Sequence, residues 1–309
     1  MSDFTRREFM EIGAKLAAVM GLGVAAIPDL ANAAEAISAG QAPVLWLQGQ
    51  NCTGCSISLL NCEMPGIAKV ITQLISLKFH SNVSAATGDV ALDVIEGTVK
   101  AGGYTLVVEG SIPVGMPSAC MIGHEPVSEQ VVRAAKNAGA VLAVGTCASF
   151  GGIPAAENNP TGAIDVATHL KNEGVTTPVI RLPGCPAHPD WLIGIIVHVL
   201  KFGLPELDEL GRPTMFYGKL VHDQCPRFAD YERENFAKNF GEDGCLFKLG
   251  CLGTNTKADC TTRLWNSGTN SCINAGSPCI GCAWEGFAAD ADLPFYRITE
   301  HQLKRESKN

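Results

Sequence analysis

Aromatic residues make up only 6% of this sequence and charged residues only 17%, and nowhere do lysine and arginine cluster with interleaved aromatic rings. Together with a formal net charge of −8, that lack of basic patches argues against nucleic acid as a partner. A phosphate-cradling glycine loop is missing too, because "GLG" at 21–23 lies in an apolar N-terminal run and follows no strand. No set of side chains forms a constellation for binding and cleaving a substrate, so no catalytic residue is assigned. After Leu204 no apolar run approaches the roughly 20 residues of a spanning helix. The chain ends "HQLKRESKN", so no transmembrane anchor is expected and the mature chain should be soluble.

Cysteine, by contrast, is abundant: 13 residues in a chain of 309 that is 46% hydrophobic. A chain of this size builds its own core and does not need the disulfide framework typical of small secreted domains, and an odd count would leave one thiol unpaired. Metal ligation is the better use.

The N-terminus reads as an export signal. "TRREFM" (5–10) precedes an apolar stretch from about Ile12 to Ile27, and paired Arg6 and Arg7 followed by Phe9 resemble the twin-arginine pattern. The stretch is too short and too rich in glycine and alanine for a membrane span, while "ANA" at 31–33 offers small residues for cleavage. Residues 1–33 are therefore expected to be a twin-arginine signal peptide, Ala34 the first mature residue, and the periplasm the destination. The alternative is an amphipathic N-terminal helix with a chance arginine pair. The twin-arginine route carries folded proteins, so the cysteines would meet metal in a reducing cytoplasm before reaching an oxidising compartment.

From Pro43 to about Phe202, short apolar runs alternate with helical patterns, as in a parallel sheet covered by helices. The expected strands are 43–48, 104–110, 140–145 and 178–183, with helices near 65–78, 126–138, 162–172 and 190–202. Three strands run straight into cysteine: "GQNCTGC", "GTCASFGG" and "PGCPAHP". In an open parallel sheet all such loops lie at the carboxyl edge, where ligands bind. Strand direction alone thus brings Cys52, Cys55, Cys147 and Cys185 together. Four thiolates suit zinc or an iron-sulfur cluster equally by count. Gathering ligands from three separate loops of a fold with its own core favours the cluster, as do the glycines and prolines that let backbone amides turn toward sulfide.

Beyond about Gly211 few strands are evident and turn residues dominate, with seven of the 13 cysteines between 225 and 282. This is expected to be a second, sparsely helical domain, 211–309, held together by what it binds, after a flavodoxin-like α/β domain spanning 34–210 with helices on both faces of its sheet. Its candidate ligands form two sets of four: His222, Cys225, Cys245 and Cys251, then Cys260, Cys272, Cys279 and Cys282. Leaving aside Cys62 and Cys120, read as small buried hydrophobes, eleven cysteines and one histidine meet the needs of three 4Fe-4S clusters. Asp190 and Trp191 are expected to start a helix.

These motifs carry a family resemblance. "NCTGCS", "GTCASFGGIP", "RLPGCPAHPDW", "HDQCPR", "CLFKLGCLG" and "AGSPCIGC" occur in the order found in the small, electron-transferring subunit of nickel-iron hydrogenases and cover nearly the whole mature chain. The resemblance implies a heterodimer with a large subunit where nickel and iron split dihydrogen. It implies a proximal cluster on Cys52, Cys55, Cys147 and Cys185, a medial one on Cys260, Cys272, Cys279 and Cys282, and a distal one on His222, Cys225, Cys245 and Cys251. Family habit adds a multi-haem cytochrome c as redox partner. Most members have proline where Cys272 stands and a three-iron medial cluster; the fourth cysteine resembles the nickel-iron-selenium subgroup. Asn51 and Ile57 stand where the common form has glutamates, so no proton-relay role carries over. Gly54 and Gly152 replace the extra cysteines of oxygen-tolerant relatives, which argues against a six-cysteine proximal cluster. The rivals are a free-standing multi-cluster carrier, a zinc-stabilised scaffold, and a complex-I-like subunit that would account for the first domain only.

Overall fold

The computed structural model describes residues 5–40, 42–63, 66–71, 75–156 and 158–288. The last residues of the chain, on which the expected absence of an anchor rested, lie outside them. Five strands form one sheet: β1 (Ala42–Gln48), β2 (Ile75–Phe79), β3 (Thr105–Glu109), β4 (Ala140–Val144) and β5 (Val179–Leu182). Their order is β2-β1-β3-β4-β5, and every pairing is parallel. This is the flavodoxin-like arrangement, with its order switching beside β1.

The strands read as continuous apolar runs because both faces are covered. Val44, Trp46, Val107, Leu142, Val144, Ile180 and Leu182 point to one face and pack with Trp191, Ile195 and Phe216. Leu45, Leu47, Leu106, Val108, Val141 and Ala143 point to the other, against Ile95, Val99, Val131 and Ala134. The helices involved are α3 (Gly54–Leu60), α4 (Gly88–Ala101), α5 (Val127–Asn137), α6 (Gly145–Phe150), α7 (Val166–Asn172) and α8 (Pro189–Phe202). The start of α8 is where Asp190 and Trp191 were expected to begin a helix, with Pro189 at its first turn and His188 as cap.

Three local expectations need correction. The helix over 65–78 is replaced by a single turn, Ile67–Lys69, and then by strand β2. "ISLKF" has the alternation and β-branched or aromatic ends of an edge strand, and pairing with β1 decides its state. Helix α4 was missed, although Ala91, Ile95 and Val99 lie four apart and are its buried stripe. The helix expected from 162 begins at Val166, because Asp165 caps it by accepting from the Thr168 amide at 3.0 Å.

The N-terminal segment is a helical hairpin, α1 (Arg6–Val19) and α2 (Ile27–Gly40), lying against α8. Thr5 and Glu8 form a capping box at its start. Phe9, Ile12, Leu16, Met20, Leu30 and Ala34 are buried. The helices cross closely at Gly13, where a Cβ would lie 2.5 Å from the Ile27 carbonyl oxygen. This layer explains why α8 is apolar nearly all round, with Ile193, Ile195, Ile196 and Val197 buried. "ANA" falls inside α2, so cleavage there requires the hairpin to open. Among the described residues no helix is long and apolar enough to cross a membrane.

Among its described residues the C-terminal region contains only short helical pieces such as Thr214–Tyr217, Phe228–Glu232 and Cys260–Arg263. It docks through Trp191, whose indole nitrogen donates to Asp259 Oδ1 at 2.8 Å and whose ring lies 5.1 Å from that of Tyr217.

Candidate functional site

The loops after β1, β4 and β5 meet at the carboxyl edge of the sheet. Thr53 takes a left-handed backbone (φ 63°) to turn the chain from Cys52 into α3, which carries Cys55. Cys147 lies on α6 directly after β4, and Cys185 follows β5. The four thiols are electrostatic neighbours: Cys55 senses Cys147 and Cys185, Cys147 senses Cys185 and Cys52, and Cys185 senses Cys52. Two glycines fit the cage tightly. Gly145 has φ +83°, and a Cβ there would lie 2.5 Å from Cys55 Sγ; at Gly152 (φ +55°) it would lie 2.9 Å from Cys147 Sγ. Side chains at these positions would fill the space the thiols face.

Behind this cage stands Glu109, at the end of β3 and only 1% exposed. It accepts from the amides of Cys55 (3.1 Å) and Ser56 (3.3 Å), from Trp46 Nε1 (3.2 Å), from Gln48 Nε2 (3.3 Å) and from the Ser56 hydroxyl. Ser56 Oγ also lies 2.9 Å from His80 Nε2. A carboxylate satisfied by this many donors fixes the Cys52–Cys55 turn against the sheet.

The second set is also brought together. Cys260, Cys272, Cys279 and Cys282 line one cavity of about 620 Å³ that reaches Gly54 and Cys185 of the first cage. Cys260 senses the other three thiols. The third set, His222, Cys225, Cys245 and Cys251, lines a smaller cavity with Arg227, Phe247 and Gly253. The His222 ring is edge-on to Phe228 and Tyr231, with centroids 5.1 and 4.5 Å away. All twelve residues expected from the sequence thus fall into the three expected groups.

Backbone amides point at the sulfurs. Ala187 N donates to Cys55 Sγ (3.5 Å), Arg227 N to Cys225 Sγ (3.4 Å) and Gly281 N to Cys279 Sγ (3.4 Å). One such bond joins the second cage to the third: the Cys279 amide donates to Cys251 Sγ at 3.3 Å. The first and second are neighbours through Cys185, which lines the same cavity as Cys272 and Cys282. Among the described residues no three His, Cys, Asp or Glu side chains close around a point as ligands of a single ion would. The four thiols of the second set stand instead around the wider cavity described above. Cys62 is buried in the core, and half-buried Cys120 donates to the Gln48 carbonyl at 3.8 Å; neither joins a cage.

Burial pushes the Cys147 thiol up to about 11 and the Cys282 thiol up to about 12, with neighbouring sulfurs adding to the rise. As free thiols they hold their protons at neutral pH, so cationic iron is what would make them thiolates. In the iron-free chain the unfolded thiols ionise near 9.0, whereas folded Cys147 keeps its proton to about 11. Its contribution to stability is full below pH 9.0 and is lost as pH rises toward 11. The denaturation midpoint of the iron-free chain should fall across that window, and a flat profile would contradict the burial of these groups.

Fold and site define a class of protein: a flavodoxin-like domain with cysteine loops at its ligand edge, joined to a loop-rich domain that carries two further cages. Residues 52–199 match the family model described as NADH ubiquinone oxidoreductase, 20 Kd subunit. Residues 217–296 match the C-terminal model of the NiFe/NiFeSe hydrogenase small subunit. The periplasmic NiFeSe hydrogenase small subunit of Desulfomicrobium baculatum is 40% identical over 95% of this chain and 99% of its own. The periplasmic NiFe hydrogenase small subunit of Solidesulfovibrio fructosivorans is 40% identical over 94% and 92%. Among solved structures, the recombinant NiFeSe hydrogenase of Desulfovibrio vulgaris Hildenborough matches with TM-score 0.79 and 42% identity, over 83% of this chain and 98% of that one. The chain belongs to the NiFe/NiFeSe hydrogenase small-subunit family, and is thus part of an oxidoreductase. The complex-I-like rival, which explained only the first domain, corresponds to the first family match; the second extends through the C-terminal domain.

Proposed function

We propose that this chain is the electron-relay subunit of a periplasmic NiFeSe-type hydrogenase, paired with a large subunit that activates dihydrogen. Three 4Fe-4S clusters, when bound, would supply one-electron redox steps between that subunit and an external acceptor. Cys52, Cys55, Cys147 and Cys185 would hold the proximal cluster; Cys260, Cys272, Cys279 and Cys282 the medial; His222, Cys225, Cys245 and Cys251 the distal. The observation that carries this reading is the serial arrangement. Residues of consecutive cages adjoin: Cys185 of the first lines one cavity with Cys260, Cys272, Cys279 and Cys282 of the second, and the Cys279 amide donates to Cys251 Sγ of the third at 3.3 Å. A set of independent zinc sites has no need of such links.

Four thiols around the medial cavity support a full cubane and the selenium subgroup. A neutral imidazole at the distal cage replaces one anionic thiolate and raises that cluster's potential relative to an all-thiolate one. Residues 1–33 act as a twin-arginine signal, 34–210 as the flavodoxin-like domain and 211–309 as the C-terminal domain; the relatives named periplasmic support this destination. A multi-haem cytochrome c is the proposed acceptor, and the net charge of −8 suits encounter with a basic protein.

Metal and sulfide analysis of the purified protein tests the reading. About twelve irons per chain, with nickel in a co-purifying subunit, is the expected result. A stable monomer with the same iron would favour the free-standing carrier, and zinc without iron would favour the scaffold.

A further inference from the structure

The contact between the first and second cages turns on a residue that is not a ligand. Thr146 precedes Cys147 and is 1% exposed. Its amide donates to the Gly184 carbonyl at 3.0 Å, and its hydroxyl accepts from the Gly184 amide at 2.9 Å. The same hydroxyl donates its one proton to the carbonyl oxygen of Cys282. One side chain thereby ties together the β4 loop bearing Cys147, the β5 loop bearing Cys185, and Cys282 of the second cage. Cys282 is then held at its carbonyl by Thr146, on the cavity that Cys185 also lines.

We propose that Thr146 is a positioning residue for electron passage between the first and second cages: it fixes Cys282 against the loops that bear Cys147 and Cys185. The inference rests on the relay function proposed above. The geometry favours this role over general domain adhesion, because adhesion has other agents. Trp191 reaches Asp259 at 2.8 Å, Tyr217 donates to the Pro183 carbonyl at 2.8 Å, and His188 Nε2 lies 2.9 Å from the Leu264 carbonyl. None of these touches a sulfur. Removing the Thr146 hydroxyl leaves them in place and frees the Cys282 carbonyl and the Gly184 amide. Valine keeps the shape and loses both side-chain hydrogen bonds, whereas serine keeps the hydroxyl.

The test compares the wild-type heterodimer with its Thr146→Val and Thr146→Ser forms, by three readouts. Reduction of an electron acceptor by dihydrogen requires passage along the chain, whereas isotope exchange between dideuterium and water at the large subunit does not. Magnetic coupling between the reduced first and second clusters reports their contact directly. Thr146→Val is expected to lower acceptor reduction roughly 10-fold or more, in the range typical for residues that orient metal ligands. It should weaken the magnetic coupling, leave exchange and iron content at wild-type values, and be rescued by Thr146→Ser. Unchanged acceptor reduction, an equal fall in exchange, or loss of iron in the valine form would overturn the proposal. Absence of iron from the wild-type complex would instead sink the relay function itself, so the two failures are distinguishable.

Discussion

A complex carrying Cys272→Ala is expected to hold about eleven irons where the wild type holds about twelve, with the missing iron confined to the medial cage. Cys272 lies on the loop side of the second cavity, the most exposed of its four thiols, whereas Cys279 is buried and Cys260 and Cys282 are largely enclosed. Deleting it leaves three thiols in place, enough for a three-iron cluster. Cluster type is a main lever on reduction potential, so the medial potential should rise away from those of its neighbours. Iron analysis together with potentiometric titration checks both parts. A variant that keeps twelve irons would show that Cys272 is not a ligand. One that loses all medial iron would show that the other three thiols cannot hold a cluster alone.

Glu109→Leu should have the largest effect on stability of any single change in the first domain. It orphans the indole of Trp46 and the backbone amides of Cys55 and Ser56, and takes one partner from Gln48 Nε2 and from the Ser56 hydroxyl, which keep each other and His80. One orphaned buried donor costs about 1–3 kcal/mol, and the losses do not simply add because the groups share one partner. A cost above about 3 kcal/mol is expected, together with release of proximal iron at lower denaturant than in the wild type. Glu109→Gln keeps one acceptor oxygen and should fall between the two. Wild-type stability and iron retention in the leucine form would mean that the carboxylate does not organise the Cys52–Cys55 turn.

How much of this was legible in the sequence follows from what each feature depends on. The first cage could be derived because strand polarity is a property of the whole sheet: once three strands run into cysteine, their loops share an edge. The second and third cages could be grouped because their candidate ligands are near in sequence and little else competes for them. Strand β2 was misread because "ISLKF" decides its state by pairing with β1, a long-range contact that local pattern does not record. Glu109 was overlooked because a charge at the end of "TLVVE" reads as a strand terminus, and only the fold shows donors from two other segments converging on it. Nothing in "GTCASFGG" marks Thr146, because its partners at Gly184 and Cys282 lie far off in sequence. The N-terminal segment was legible as an apolar run, but its packing on α8 depends on a face that the sequence presents as an ordinary buried helix.

Anomalous diffraction at the iron edge from crystals of the intact complex is the most direct test of the central claim that three cages lie in series along this chain. Three four-iron peaks are predicted in sequence: one bounded by Cys52, Cys55, Cys147 and Cys185, the next by Cys260, Cys272, Cys279 and Cys282, and the last by His222, Cys225, Cys245 and Cys251. Single-atom peaks, a zinc edge in place of iron, or iron bound by any other set of residues would contradict it.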